Sequence, residues 1–360
     1  GGKRRRSLFL GIGIAVLAAA SLAAVQLVVL KMLPFDNKSE FQVVVDLPEG
    51  TPLERTNALL LDMAQALNDV PEVLDIQGYA GTSAPVNFNG LVRQYYLREG
   101  ANLGDLQVNL VGKHERDRQS HEIALEVRPV LADIGERYGA SVKVVEVPPG
   151  PPVMAPLVAE IYGPDLARAR EIARDLQARF SATEGIVDVD STVEAEAERE
   201  LVLVDRDRAA RLGVSQAAIA QALQLGVSGR DATYLRDGAS KYPVPVRLRL
   251  PAGDQASLEQ LLTLRVRAGD GRLVPLSELV TVQRLPWEPV IHRKDLLPVV
   301  YVTGDEASDI DSPLYGMFDL VGQVADKPLA GTSLEQRFLS APETASGFSI
   351  KWDGEWQITY

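Results

Sequence analysis

An uncharged, mostly apolar run from Leu8 to Leu30 limits this chain more than any other feature. The basic cluster Lys3, Arg4, Arg5 and Arg6 precedes it, and Lys31 and then polar, acidic sequence from Asp36 come after it. A helix rising 1.5 Å per residue needs about 20 apolar residues to cross the hydrocarbon core of a bilayer, and this run is long enough. Secretory signal peptides have a shorter apolar stretch ending at small residues, whereas this one ends in Val28-Val29-Leu30-Lys31-Met32-Leu33. The pattern predicts a retained transmembrane helix within residues 1–35. Its basic flank should stay in the cytoplasm, with everything after about residue 35 on the far side of the membrane.

Beyond that helix, a chain of 360 residues leaves enough for two or three domains. Its net charge of −12 argues against nucleic acid as a partner, because phosphate recognition needs clustered Lys and Arg. Cysteine is absent, which removes thiolate metal sites and Cys nucleophiles. His114, His121 and His292 are scattered, with no metal-binding spacing. Neither a Gly-x-Ser-x-Gly elbow nor a phosphate-cradling Gly-x-x-x-x-Gly-Lys loop occurs. No catalytic residue, metal ligand or cofactor is assigned, and the chain is not expected to be an enzyme.

The soluble part carries a diverged internal repeat. Phe41 to Leu47 reads as a strand, Pro48-Glu49-Gly50 as a turn, and Leu53 to Leu67 as a helix with Leu60, Met63, Ala64 and Leu67 on one face. Val73 to Ile76 closes the unit. The second copy repeats the order with strand Leu157 to Tyr162, turn Gly163-Pro164-Asp165, helix Leu166 to Phe180 and strand Ile186 to Val189. Asp165 is the expected cap of its helix. Each copy continues with a second strand–helix–strand. In the first these are Leu106 to Val111, Ser120 to Tyr138 with Ser120 as cap, and Ala140 to Val147. The order βαββαβ is the split βαβ, ferredoxin-like plan. A glycine-rich connection from Gly78 to Asp105, with Tyr79, Phe88, Tyr95 and Tyr96, reads as a long functional loop, Tyr95 and Tyr96 being strand or edge residues.

The second copy is interrupted. After Val189 and the acidic stretch Glu194 to Glu198, a different set of elements runs from about 199 to 287. It includes a one-sided strand, Tyr242 to Leu250, and a hairpin turn at Gly269-Asp270-Gly271. Sequence matching the missing half returns at Leu297 to Thr303 and continues through a helix near Leu314 to Val324 and a strand from Phe348 to Trp352.

The basic-flanked apolar run, then Leu47-Pro48-Glu49-Gly50-Thr51, Asp205 to Ser215 and Gly271 to Leu279, in this order and spacing, resemble the second periplasmic half of a resistance-nodulation-division (RND) efflux pump. The resemblance covers Leu8 to Tyr360. It implies an α+β fold with one transmembrane helix followed by two ferredoxin-like porter subdomains, the second interrupted by an α+β docking subdomain. The implied parts are residues 1–35 (flank and membrane helix), 40–154 (porter), 155–198 and 288–360 (porter, in two pieces) and 199–287 (docking). It also implies a piece of a longer polypeptide whose proton-relay groups lie on membrane helices outside this chain.

By that resemblance the chain is part of a bacterial inner-membrane, proton-driven pump exporting hydrophobic or amphiphilic compounds. Its implied partners are two further copies in a homotrimer, a periplasmic adaptor protein and an outer-membrane channel. Tyr79, Phe88, Val153 and Met154 are the expected substrate contacts, beside a stiff linker from Val147 to Met154. Asp190, on a strand where drug-exporting members carry Arg, suggests an acidic cleft mouth suited to cationic amphiphiles. Tyr234, Arg236 and Asp237, in a loop from Gly229 to Gly238, are the expected subunit contacts. Metal-exporting members place methionine in the cleft, and the matching positions here, near Val43, Phe88 and Pro148, carry no sulfur, so a metal substrate is not expected. The alternative is a single-pass, membrane-anchored periplasmic binding or adaptor protein, although long heptad helices and a lipoyl-like module are not visible.

Overall fold

The computed structural model describes residues 2–24, 27–28, 36–147, 153–251, 257–307 and 312–359. Helix α1 spans Gly2–Ala24. It begins earlier than the apolar run, because the basic cluster is made of good helix formers and joins its first turns. The expected end of the membrane helix, residues 29–35, lies outside the described residues, as does the proline run 148–152. Among the described residues no helix is long and apolar enough to cross a membrane.

The first module is built from β1 (Glu40–Asp46), α2 (Leu53–Leu67), β2 (Val73–Thr82), α3 (Phe88–Val92), β3 (Glu99–Leu110), α4 (Ser120–Tyr138) and β4 (Ser141–Val145). Its sheet has the order β2-β3-β1-β4 with every neighbour antiparallel. Alternation along β1 sends Phe41, Val43 and Val45 under the helices, where they pack with Leu59, Met63 and Leu67 of α2 and Ile123, Val127 and Leu131 of α4. Each such side chain, fully buried, contributes roughly 1.5–3 kcal/mol of transfer free energy. The other face of β1 carries Gln42, Val44 and Asp46.

Three expectations fail here. Both ends of the glycine-rich connection are strand: β2 runs on to Thr82 and β3 starts at Glu99, with Tyr79 opposite Asp105 and Thr82 opposite Glu99. Cross-strand hydrogen bonding of the two arms outweighs the local turn bias of the glycines. Tyr95 and Tyr96 lie in a 3-10 turn, Tyr95–Leu97, and not in a strand. The cap of α4 also moves by one residue. Gln119 occupies it, its N–H donating to Glu122 at 2.8 Å, and Gly139 closes the helix at φ 71°.

The second module opens with β5 (Leu157–Tyr162), α5 (Leu166–Ala182) and β6 (Ile186–Ser191). Asp165 caps α5, accepting from Ala167 N at 2.9 Å. A separate compact unit, residues 196–288, comes next in the chain. It contains β7 (Glu198–Val204), α6 (Arg206–Arg211), α7 (Gln216–Ser228), β8 (Arg230–Leu235), β9 (Val244–Leu248), α8 (Leu258–Leu262), β10 (Arg265–Arg267), β11 (Leu273–Pro275) and β12 (Val280–Pro286). Strand pairs β7/β12 and β10/β11 pack at a small core of Ala209, Val214, Ile219, Val266, Leu276 and Leu279, to which the third pair, β8/β9, contributes no residue.

The second module then resumes with β13 (Arg293–Lys294), β14 (Leu297–Glu306), α9 (Pro313–Asp326), β15 (Glu335–Arg337), β16 (Ser349–Gly354) and α10 (Trp356–Thr359). Its principal strands lie in the order β6-β14-β5-β16, all antiparallel, the same relative order as in the first module. The core joins Ile172, Leu176 and Phe180 to Val302, Met317, Leu320, Ile350 and Trp352, with the Phe180 and Trp352 rings stacked 6.3 Å apart. Each sheet thus has one face covered by its two long helices, and the charged residues of β1, β4 and β5 lie on the opposite face.

Candidate functional site

Where β4 of the first module comes close to β6 of the second, a cavity of about 260 Å³ opens. Both modules line it: Arg93, Tyr95 and Lys143 from the first, Met154, Asp188, Asp190, His292, Tyr301, Thr303 and Asp305 on the side of the second. Three ion pairs cross the boundary. Arg93 meets Asp305 at 2.9 Å, Arg128 meets Asp188 at 2.5 Å, and Lys143 meets Asp190 at 2.5 Å.

Local backbone geometry aims these groups. Alternation along β4 turns Val142 and Val144 toward the helices and Lys143 to the other face, where it is buried. On β6 the pairing with β14 slips between Thr303 and Asp305, and Asp188 sits at φ +50°. Irregular pairing of this kind re-aims a side chain, and Asp tolerates a left-handed backbone better than most residues. Here it brings the Asp188 carboxylate to Arg128 and to the Val144 N–H at 3.2 Å.

From Lys143 the charges run into the first module. Lys143 also contacts Asp46 at 2.8 Å, Asp46 contacts Arg98 at 2.5 Å, and Arg98 donates to buried Asp105, which accepts from Ala84 N at 2.8 Å. Burial by itself would lower the pKa of Lys143, but the Asp190 and Asp46 carboxylates outweigh it and hold the ammonium above its ordinary value. Burial would likewise raise Asp46, and Lys143 with Arg98 reverse that, leaving its carboxyl below the usual range. Burial pushes the Tyr95 phenol up.

Of the expected substrate contacts, Met154 and Asp190 line this cavity. Val153 and Met154 line a second, of about 480 Å³, beside Glu160, Lys294, Tyr301 and Asp353. Tyr79 and Phe88 line neither: the Tyr79 hydroxyl donates to Gln77, and Phe88 stands exposed at the start of α3. At the expected acidic cleft mouth, Asp188 and Asp190 each face a cation and Glu194 accepts from Val290 N. In the 196–288 unit, Tyr234 belongs to strand β8 and not to a loop, since β8 pairs with β9 from Arg230 to Leu235. Arg236 and Asp237 do lie in the turn after it, where Asp237 accepts from the N–H groups of Ala239 and Ser240.

Sequence reasoning missed Arg93, Arg128, Lys143 and Asp305. Lys143 left a faint trace, as a charged residue between Val142 and Val144 in a strand, and Asp305 left none. Arg93 and Arg128 left none. Among the described residues no group of three or more His, Cys, Asp or Glu side chains could hold a metal ion.

Residues 4–312 match the family model described as AcrB/AcrD/AcrF. Two curated relatives are the cobalt-zinc-cadmium resistance protein CzcA of Cupriavidus metallidurans and the cation efflux system protein CzcA of Alcaligenes sp. Each is 27% identical over 148 residues, 40% of this chain and 14% of the relative. Two crystal forms of a heavy metal efflux pump superpose with TM-scores of 0.69 and 0.67 at 18% identity, over 97% and 96% of this chain and 34% of theirs. At that identity the likeness is one of fold, and the chain spans about a third of the solved pump. The match over residues 4–312 makes the chain a member of the AcrB/AcrD/AcrF family of RND efflux transporters, inner-membrane proteins that are transporters and not enzymes.

Proposed function

We propose that this chain is the porter-and-docking portion of a proton-driven RND pump that exports organic, amphiphilic compounds across the cell envelope. Residues 40–154 form one porter subdomain and 155–198 with 288–360 the other, and the cleft between them is the substrate path. Residues 199–287 form the docking subdomain. Residues 1–35, with α1, are the anchor in the inner membrane, and the rest of the chain is periplasmic. The working pump is a homotrimer joined to a periplasmic adaptor and an outer-membrane channel. Family membership supports this reading over a free-standing binding or adaptor protein.

One observation carries the substrate class. Each carboxylate lining the inter-module cavity faces an Arg or Lys of the first module, so among the described residues no open oxygen cluster remains for a divalent ion. Tyr95, Met154 and Tyr301 supply surface for an organic ligand. The second reading is export of divalent cations. It draws on the names of the two CzcA relatives and on the presence of His292, Met154 and Asp190 in one cavity. The complete pump, expressed in a pump-deficient strain, should raise tolerance to amphiphilic dyes and detergents and leave tolerance to zinc, cobalt and cadmium unchanged. The opposite pattern replaces the first reading with the second.

A further inference from the structure

The three ion pairs across the cleft differ in what their loss would leave behind. Asp188 is buried, with its side chain 8% exposed, and is held by both Arg128 and a backbone N–H. Asp305 is gripped by two guanidinium nitrogens of Arg93. Separating either pair strands an arginine, 8% exposed at Arg93 and 17% at Arg128, that has no second carboxylate partner among the described residues. Asp190 is different. Its side chain is 49% exposed, and its carboxylate meets the Lys143 ammonium and accepts the adjacent Ser191 N–H at 2.8 Å. Lys143 keeps a second carboxylate, Asp46 at 2.8 Å, and so loses little when Asp190 is taken from it.

Charge count points the same way. Asp190, Asp46 and Asp105 share Lys143 and Arg98, three carboxylates against two cations. The other two cross-module pairs are balanced. The linked cluster therefore carries one surplus negative charge, and Asp190 is its exposed end. Tyr95, Met154 and Tyr301 line the same cavity; the Arg98 guanidinium already lies 5.7 Å from the Tyr95 ring centroid, so the Tyr301 ring and the polarizable Met154 thioether are the surface offered to an organic cation. One carboxylate with an aromatic ring suits a monovalent organic cation, an ammonium or phosphonium, better than a divalent metal that requires several oxygens.

We propose that Asp190 reads the positive charge of the substrate, and that an organic monocation binds by displacing Lys143 from Asp190 onto Asp46. Binding then removes one of the three ion pairs joining the modules, so occupancy of the site loosens the cleft. The proposal rests on the porter reading above.

Two measurements separate them. Binding of tetraphenylphosphonium to the purified complete pump in detergent should weaken about tenfold in Asp190→Asn, the loss of one charge-assisted contact, and recover in Asp190→Glu. It should tighten in Lys143→Gln, which takes the ammonium away from Asp190. Export of ethidium should fall in Asp190→Asn, while export of the uncharged dye Nile red stays within about twofold of wild type. Equal binding by wild type and Asp190→Asn, or an equal loss of both dyes, overturns the proposal. Binding that depends on Asp190 with no export of either dye by the wild-type pump overturns the porter reading and leaves the cation site standing.

Discussion

The guanidinium of Arg93 grips the carboxylate of Asp305 through two hydrogen bonds, 2.9 Å from Nη1 and 3.3 Å from Nη2, and ties together residues 212 apart in the chain. Both side chains are nearly buried, 8% and 12% exposed. Removing one member leaves the other charged in a place water barely reaches. Asp305→Asn should therefore destabilise the fold by about 3–5 kcal/mol. The double change Arg93→Met, Asp305→Leu should recover most of that, because two apolar groups leave no stranded charge. Urea denaturation monitored by tryptophan fluorescence would check both, and equal losses in the single and double variants would contradict the account.

Phe180 and Trp352 stack at the centre of the second module, both fully buried. Phe180→Ala removes a ring from a close-packed core and opens a cavity, at a cost of about 3–5 kcal/mol. Phe180→Leu should cost clearly less. Thermal unfolding of the two variants reads the difference.

Asp46 has a folded pKa below its ordinary value of 3.8, since Lys143 and Arg98 outweigh the effect of burial. An acid with a depressed folded pKa adds stability that is present above its unfolded pKa and lost as pH falls through the folded one. Its contribution is thus complete at neutral pH and declines below about pH 4. Asp46→Asn should lower stability at pH 7 and flatten the acid limb between about pH 4 and pH 2. A variant whose acid limb stays parallel to that of the wild type would exclude Asp46 as a source of the slope.

The hairpin β8/β9 exposes Tyr234, Leu235, Val244, Val246 and Leu248. A run of apolar side chains on an isolated two-stranded ribbon suits burial against another chain, as the docking assignment proposes. Leu235→Asp with Val244→Asp should weaken trimer assembly of the complete pump by about tenfold or more, while the melting temperature of the monomer changes little. Size-exclusion chromatography with light scattering would show it.

The βαββαβ repeat and its interruption were legible because they rest on local signals. Helix Leu53–Leu67 comes from apolar residues at helical spacing, and Asp165 announces the start of α5. The connection from Gly78 to Asp105 reads as one long loop because its glycines suggest turns, whereas β2 and β3 pair with each other at its two ends. Tyr79 and Phe88 stand out in the sequence as aromatics in an apparent loop, but Tyr79 belongs to the extended strand β2 and Phe88 opens helix α3, and neither lines the cavity. Asp190 was chosen for its charge, but the sequence around it contains no sign of Lys143, which lies 47 residues earlier.

Sequence alone determined the elements, their order, the doubled module and the family resemblance, since periodicity, capping and turn chemistry act over a few neighbouring residues. Tertiary structure alone decided that Asp46, Arg98, Asp105, Lys143 and Asp190 form one charged chain reaching the cavity. Charge pairing depends on distance and burial, and both arise only when strands far apart in sequence come to lie side by side.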